Sequence, residues 1–292
     1  MDKATRVKRL VAGASIVMVA SLLGACGLIG GGRGGGSESG ETNSSLARIQ
    51  KSGELRYGVI VGEEPGFIRA DDGEWTGYLA DTAQLIAKQL DLKPVPVETT
   101  WGNMALDLQA NKIDIAVGAQ PTGERALVVD YTTHPLYTNY FSIIVTSDQF
   151  DRANWTELNT DGVTVGVQTG DSTIQPLKQF APAAKTLDFD SRDKNLLALE
   201  AGHVDASANT LLNALMASKS RTDMNAHVVV PEPLVAAPSA AMVARSTDQA
   251  FLKAVDAVVW NLNSSGQIRS AILEHLKTYG ITEADLPMNA TL

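Results

Sequence analysis

Ile113-Asp114-Ile115-Ala116-Val117-Gly118-Ala119-Gln120-Pro121-Thr122-Gly123-Glu124-Arg125 is the stretch on which the fold turns. Its first five residues read as a β-strand apolar enough to be central and buried in a sheet. The glycines and proline that follow mark a loop, and Arg125 stands on its far side. On either side the chain alternates short β-like runs with helical patterns. Upstream, strands are expected at Leu55–Val61 and Pro94–Glu98. The spacing of Leu79, Ala83, Leu85-Ile86-Ala87 and Leu90 predicts a helix over Tyr78–Leu90, and Met104–Gln109 reads as a short one. Downstream, strands are expected at Tyr140–Val145, Val163–Val167, Val204–Ala208 and Ala240–Ala244. Helices are expected after Asp171 and over Asn195–Ala201, Leu211–Ala217, Gln249–Asn263 and Ile268–Tyr279. Such alternation, with crossover helices between strands, indicates an α/β protein with parallel-dominated sheets. One sheet of that kind seldom needs the 247 residues from Leu46 to Leu292, so two α/β lobes are expected.

The beginning of the chain follows other rules. Lys3, Arg6, Lys8 and Arg9 precede an apolar run that ends in Leu23-Gly24-Ala25-Cys26. A basic start, a short apolar region and small residues before a cut site make a secretory signal. The Leu-Gly-Ala-Cys ending resembles a bacterial lipobox, so residues 1–25 are read as a lipoprotein signal peptide and Cys26 as the lipidated first residue of the mature chain. The alternative, an uncleaved anchor, has an apolar run of only about 16 residues against the roughly 20 that span a membrane. Cys26 is the only cysteine, so the exported chain forms no internal disulfide and is stabilised by its core alone. Gly27–Ser45 holds eight glycines in 19 residues. It reads as a tether (26–45) with a reach on the order of 25 Å.

The formal charge is −9. Four basic side chains against Asp2 in residues 1–25 leave the remainder at −12. So acidic a surface argues against nucleic acid and against electrostatic attachment to anionic lipid. One acyl chain binds a membrane only marginally, so a multiply acylated Cys26 is expected. The predicted location is extracytoplasmic, lipid-anchored to the cell membrane.

Beyond the tether, several pieces occur in a fairly specific order and spacing. They are Ser52-Gly53-Glu54-Leu55-Arg56-Tyr57-Gly58-Val59, Pro65-Gly66-Phe67, Gly77-Tyr78-Leu79-Ala80-Asp81 and Leu108-Gln109-Ala110-Asn111-Lys112-Ile113-Asp114. Then come Gly118 to Arg125, Asp130-Tyr131-Thr132, Val165-Gly166-Val167-Gln168-Thr169-Gly170-Asp171-Ser172 and Ala201-Gly202-His203-Val204-Asp205-Ala206. Over nearly all of residues 46–290 the chain resembles the extracellular solute-binding proteins of the polar amino-acid type that feed ABC importers. The resemblance implies a two-lobed periplasmic-binding-protein fold of type II (Venus flytrap) with two hinge strands. Lobe 1 would be 46–140 plus 240–292, lobe 2 would be 141–239, and the ligand would sit between them. Open α/β sheets independently favour ligand sites beyond the carboxyl ends of their strands, and pockets favour domain interfaces.

The matched motif implies that Arg125 grips a ligand carboxylate, for which a guanidinium fork is suited by its two parallel N–H donors. The alternative is a solvated arginine or one paired with Glu124. Gln120 occupies a position that supplies a backbone N–H and often a hydroxyl; as a longer amide it could reach the ligand. Ser172 matches a carboxylate-binding hydroxyl, and Gly170-Asp171-Ser172 is expected to open a helix. Plain N-capping by Asp171 or Ser172 is the other reading. Trp101 sits where family members present an aromatic ring, and Phe67 is similarly placed. Glu63 and Glu64 lie in a loop one residue longer than usual, where they could meet a cation or simply be solvated; Glu64 is retained as a candidate.

One departure stands out. In most such proteins an aspartate five residues after the Asp205 position takes the ligand's α-ammonium, whereas here that position is Thr210. A neutral hydroxyl cannot balance a buried ammonium as a carboxylate does. Either another acid substitutes, or the ligand lacks a primary α-amine, or its nitrogen is substituted.

The expected function is a lipid-anchored, monomeric binding component for a small amino-acid-like carboxylate, partnered by an ABC permease, with no cofactor, metal or catalytic residue. The alternatives are an enzyme on the same scaffold, like the cyclohexadienyl dehydratases, or a ligand-presenting sensor. Enzymatic work needs positioned acid/base groups, and His134, His203, His227 and His275 are scattered. Asp188 to Asp193 suggests a calcium loop but lacks the glycine at position six, and Leu199 stands where the bidentate acid belongs.

Overall fold

The computed structural model describes residues 44–147, 154–246 and 249–286. Cys26, the signal peptide and nearly all of the tether lie outside them. Helix α1 (Ser45–Ser52) begins inside the last residues assigned to the tether, because the Ser44 hydroxyl accepts the Ala47 N–H at 2.9 Å. The chain continues through β1 (Glu54–Val59), β2 (Ile68–Arg69), β3 (Trp75–Thr76), α2 (Tyr78–Gln89), β4 (Lys93–Glu98) and α3 (Met104–Gln109). Next come β5 (Ala116–Ala119), α4 (Gly123–Ala126), β6 (Val129–Tyr131), β7 (Tyr137–Val145), α5 (Trp155–Leu158) and β8 (Thr164–Gln168). They lead to α6 (Ile174–Phe180), β9 (Lys185–Phe189), α7 (Arg192–Glu200), β10 (Ala206–Thr210) and α8 (Leu211–Ser220). The last elements are β11 (His227–Val229), β12 (Ala236–Ala244), α9 (Ala250–Ser264) and α10 (Gln267–Thr278).

The opening stretch lies at the centre of its lobe. The Gly58 amide donates to the Ile115 carbonyl at 3.1 Å, joining β1 to the approach of β5, while β12 lies antiparallel on the other side of β5. The strand itself is Ala116–Ala119, starting later than the apolar run suggests. The reason is Asp114, whose carboxylate accepts the Arg56 amide at 3.0 Å and so takes the place of a strand carbonyl. Strand β10 likewise starts two residues later than expected. The turn through Gly202 (φ 70) is followed by Asp205, whose carboxylate accepts the Thr164 amide at 2.7 Å.

The expectation of parallel-dominated sheets is corrected. β1 pairs with β4, and β8 with β9 and β10, in parallel. β7 and β12 run against each other, and β5, β6, β10 and β11 join them antiparallel. These two long strands are the hinge: one sheet, ordered β5-β12-β7-β10-β8-β9, passes through both lobes. One apolar core packs Leu55, Tyr57, Ile86 and Ile115 against Val255 and Ile272 from the last two helices. β7 alternates faces in the period of two that a strand imposes. Phe141, Ile143 and Val145 enter a core with Val165 and Leu177, while Ile144 enters another with Leu199 and Ala214. Leu212 and Met216 of α8 pack into the first core.

Asp114 also accepts bonds from the Arg56 and Arg48 guanidiniums at 2.7 and 2.8 Å. Burial alone would raise its carboxyl, but the Arg56 side-chain and amide bonds and Arg48 outweigh that and hold its pKa below the ordinary value. A depressed carboxylate contributes stability above its unfolded pKa and loses it as pH falls through the folded one. Asp114→Ala is therefore expected to lower stability at neutral pH by about 3 kcal/mol. That corresponds to roughly 6–12 °C in a melt for a body this size. The deficit shrinks on acidification below the unfolded carboxylate range, and calorimetry at pH 7 and pH 3 checks both.

Candidate functional site

The loops at the carboxyl ends of the strands meet at a seam between the lobes. From lobe 1 come Glu63 after β1, Trp101 after β4 and Gln120–Arg125 after β5. From lobe 2 come Gly170-Asp171-Ser172 after β8, Thr210 ending β10, and Arg192 opening α7.

Thr122 caps α4 by accepting the Arg125 amide at 3.2 Å, which turns the Arg125 side chain back toward the loop. Arg125 is only 9% exposed. Its guanidinium donates to the carbonyls of Gln120 (3.1 Å), Gly170 (2.7 Å) and, more weakly, Trp101 (3.5 Å). Its Cζ lies 6.0 Å from the centre of the Trp101 ring. No carboxylate of the described residues lies within ion-pair distance, Glu124 included. The bond to Gly170 crosses from one lobe to the other.

A second crossing uses the amide at position 120. The Ser172 hydroxyl donates to Gln120 Oε1 at 2.9 Å, and Gln120 Nε2 donates to the Ser239 hydroxyl at 3.0 Å. A shorter side chain at this position would not span that gap. Asp171 Oδ1 accepts the Thr173 amide at 2.7 Å, and α6 begins only at Ile174. Asp171 and Ser172 thus precede the helix and do not open it, because Thr173 occupies the cap position.

The third crossing was not foreseen from sequence. Arg192, 4% exposed, forms an ion pair with Glu63, 3% exposed, and donates to the Glu64 carbonyl at 3.1 Å. Burial raises the Glu63 carboxyl above the ordinary range; Arg192 pulls it back and Asp171 pushes the same way as burial. Gln168 and the Trp101 indole are near enough to favour its charged form, yet Glu63 Oε1 and Trp101 Nε1 each lack a hydrogen-bond partner. The loop therefore turns Glu63 inward, while half-buried Glu64 faces an outer recess with Gly62, Arg192 and Tyr279. Phe67 is fully buried in the lobe 1 core and lines none of the cavities at the seam. Thr210 is buried at the end of β10.

Glu63, Tyr78, Trp101, Gln120, Asp171 and Thr210 are among the residues that line a cavity of about 20 Å³, roughly the room of one water. A wider cavity of about 460 Å³ opens beside it along Trp101, Arg125, Gly170 and Asp171. Another of about 250 Å³ lies toward the hinge, behind Gln120 and Ser172. The inner part of the seam is thus narrow. An amino-acid-sized molecule enters there only if the lobes separate, a hinge motion that β7 and β12 allow.

Comparison with known proteins agrees with this architecture. Cyclohexadienyl dehydratase of Pseudomonas aeruginosa is 26% identical over 237 residues, covering 81% of this chain and 87% of that protein. The L-cystine-binding protein TcyJ of Escherichia coli is 23% identical over 226 residues, covering 77% and 83%. The crystal structure of the ancestral amino acid-binding protein AncCDT-1, a precursor of cyclohexadienyl dehydratase, superposes with a TM-score of 0.70. It is 27% identical, covering 80% of this chain and 100% of that one. Residues 55–277 match the model of one family, and the chain belongs to it: the bacterial extracellular solute-binding proteins, family 3.

Proposed function

We propose that the protein is the substrate-binding component of an ABC importer, tethered through lipidated Cys26, and that it captures a small amino-acid-like carboxylate between lobes 46–140 plus 240–292 and 141–239. The observation that carries this reading is Arg125, a buried guanidinium at the interlobe seam with no carboxylate partner. A ligand carboxylate would replace the Gly170 carbonyl on its fork, a charged partner for a neutral one, and that exchange favours binding. Ser172 and Gln120 would complete the carboxylate end. Trp101 would wall the ligand, and Thr210 would offer it a hydroxyl. Phe67 would act only through the lobe 1 core.

Native mass spectrometry of protein extracted from membranes tests this reading. The expected result is one small carboxylate per chain, released on unfolding, on a mature chain that begins at an acylated Cys26. Titration with the released compound should then saturate at 1:1 and give no product. Conversion of that compound would overturn the binding reading in favour of an enzyme. That second reading has its own support in the cyclohexadienyl dehydratase relative and in the buried Glu63 carboxyl, whose raised pKa suits a general acid.

A further inference from the structure

Glu63 and Asp171 both line the small cavity, one from each lobe. Among the described residues, the one cation bonded to either carboxylate is Arg192, which is paired with Glu63. Of the two acids, half-buried Asp171 thus has no cation bonded to it. Glu63 is the buried one, and a buried carboxylate is costly unless each of its oxygens finds a partner. Glu63 Oε1 has no hydrogen-bond partner, although the residue is almost fully buried. Arg125 borders the wider cavity that Asp171 also lines, and no carboxylate of the described residues lies within ion-pair distance of it. Trp101 borders both cavities, and its carbonyl accepts from Arg125. Counting Glu63, Asp171, Arg192 and Arg125, these groups sum to zero, with both acids on the small cavity and Arg125 on the wider one. The complementary ligand is neutral overall with its charges separated. Thr210, where a carboxylate is the family's usual ammonium partner, lines the same small cavity. The acids that face it lie across the cavity and not on β10.

We propose that Glu63 Oε1 and Asp171, reaching in from opposite lobes, together receive the cationic group of a small zwitterion whose carboxylate is held by Arg125. This rests on the solute-binding reading above and deepens it: the ligand keeps a protonated amine despite Thr210. A cation between the two carboxylates also removes their mutual repulsion, which is strongest when the lobes close. Its capture and lobe closure are therefore coupled.

The test is titration calorimetry with the common L-amino acids, each paired with the carboxylic acid that lacks its α-amine. The parent should bind at least one amino acid about 100-fold more tightly than its amine-free partner. Asp171→Asn, which keeps an oxygen for the Thr173 amide, and Glu63→Gln should each weaken that binding tenfold or more. Glu63→Gln leaves Arg192 without its counter-ion and can fail to fold, so Asp171→Asn alone suffices to decide. Amine-free acids that bind as tightly as the amino acids overturn the proposal, as does an Asp171→Asn protein with parental affinity. If the parent takes no member of any pair, the amino-acid reading of the cleft itself falls, and this placement with it.

Discussion

Arg125→Ala is expected to weaken binding of the captured solute by about 100-fold or more, on the order of 3 kcal/mol. The size follows from burial. A charged hydrogen bond to a carboxylate in a closed seam is worth more than one at a surface, and its loss leaves the ligand's charge desolvated and unmatched. Arg125→Lys keeps the charge but not the two-pronged geometry, so an intermediate loss is expected. Part of the alanine effect will fall on the protein itself. The guanidinium also satisfies the Gln120 and Gly170 carbonyls, and without it both lobes lose a contact across the seam. Titration and a thermal melt on the same samples separate the two contributions. A melt that falls by a few degrees beside an unchanged affinity would show Arg125 to be an interlobe brace and not a carboxylate clamp.

What the sequence made legible was local. The helix over Met104–Gln109 is found with the bounds read from its pattern, because three-to-four-residue periodicity is set by one face of one helix. Thr122, Gly123 and Arg125 likewise lie within four residues of each other. Long-range geometry was out of reach. Glu63 and Arg192 are 129 residues apart in the chain, and nothing in Gly-Glu-Glu-Pro says which glutamate turns inward. Both fit the sequence pattern, and the structure turns Glu63 to the seam and Glu64 to the outer recess. Phe67 shows the same limit in apolar form: an aromatic residue after a strand reads identically whether it faces a cleft or a core. Strand direction failed for a related reason. Alternating strands and helices describe crossovers well, but β7 and β12 join sequence-distant strands without one. Gln120 was recognised as a departure, yet its partners Ser172 and Ser239 come from segments that only the folded sheet brings together.

Gly170→Ala is the other change with a large expected effect, and it probes closure, not chemistry. Gly170 has φ 78, a left-handed conformation that costs a side-chain-bearing residue about 1 kcal/mol. A Cβ placed there would lie 2.7 Å from both the Cα and the N of Gly102. Those are backbone atoms of the opposite lobe, so no side chain can swing aside and the clash is relieved only if the lobes draw apart. The Gly170 carbonyl would then leave Arg125, and the Ser172–Gln120 bond would stretch with it. The expectation is a modest loss of stability, a few degrees in a melt, beside a tenfold or larger loss of affinity. Small-angle scattering should show that saturating solute no longer compacts the protein to the parental radius. Gly202→Ala is the matched control. It carries similar backbone strain at φ 70 in the same lobe, but a Cβ there meets nothing within 4 Å. It should lose the few degrees and keep the affinity. Equal affinity losses in the two variants would mean that backbone strain, and not the contact between Gly170 and Gly102, governs closure.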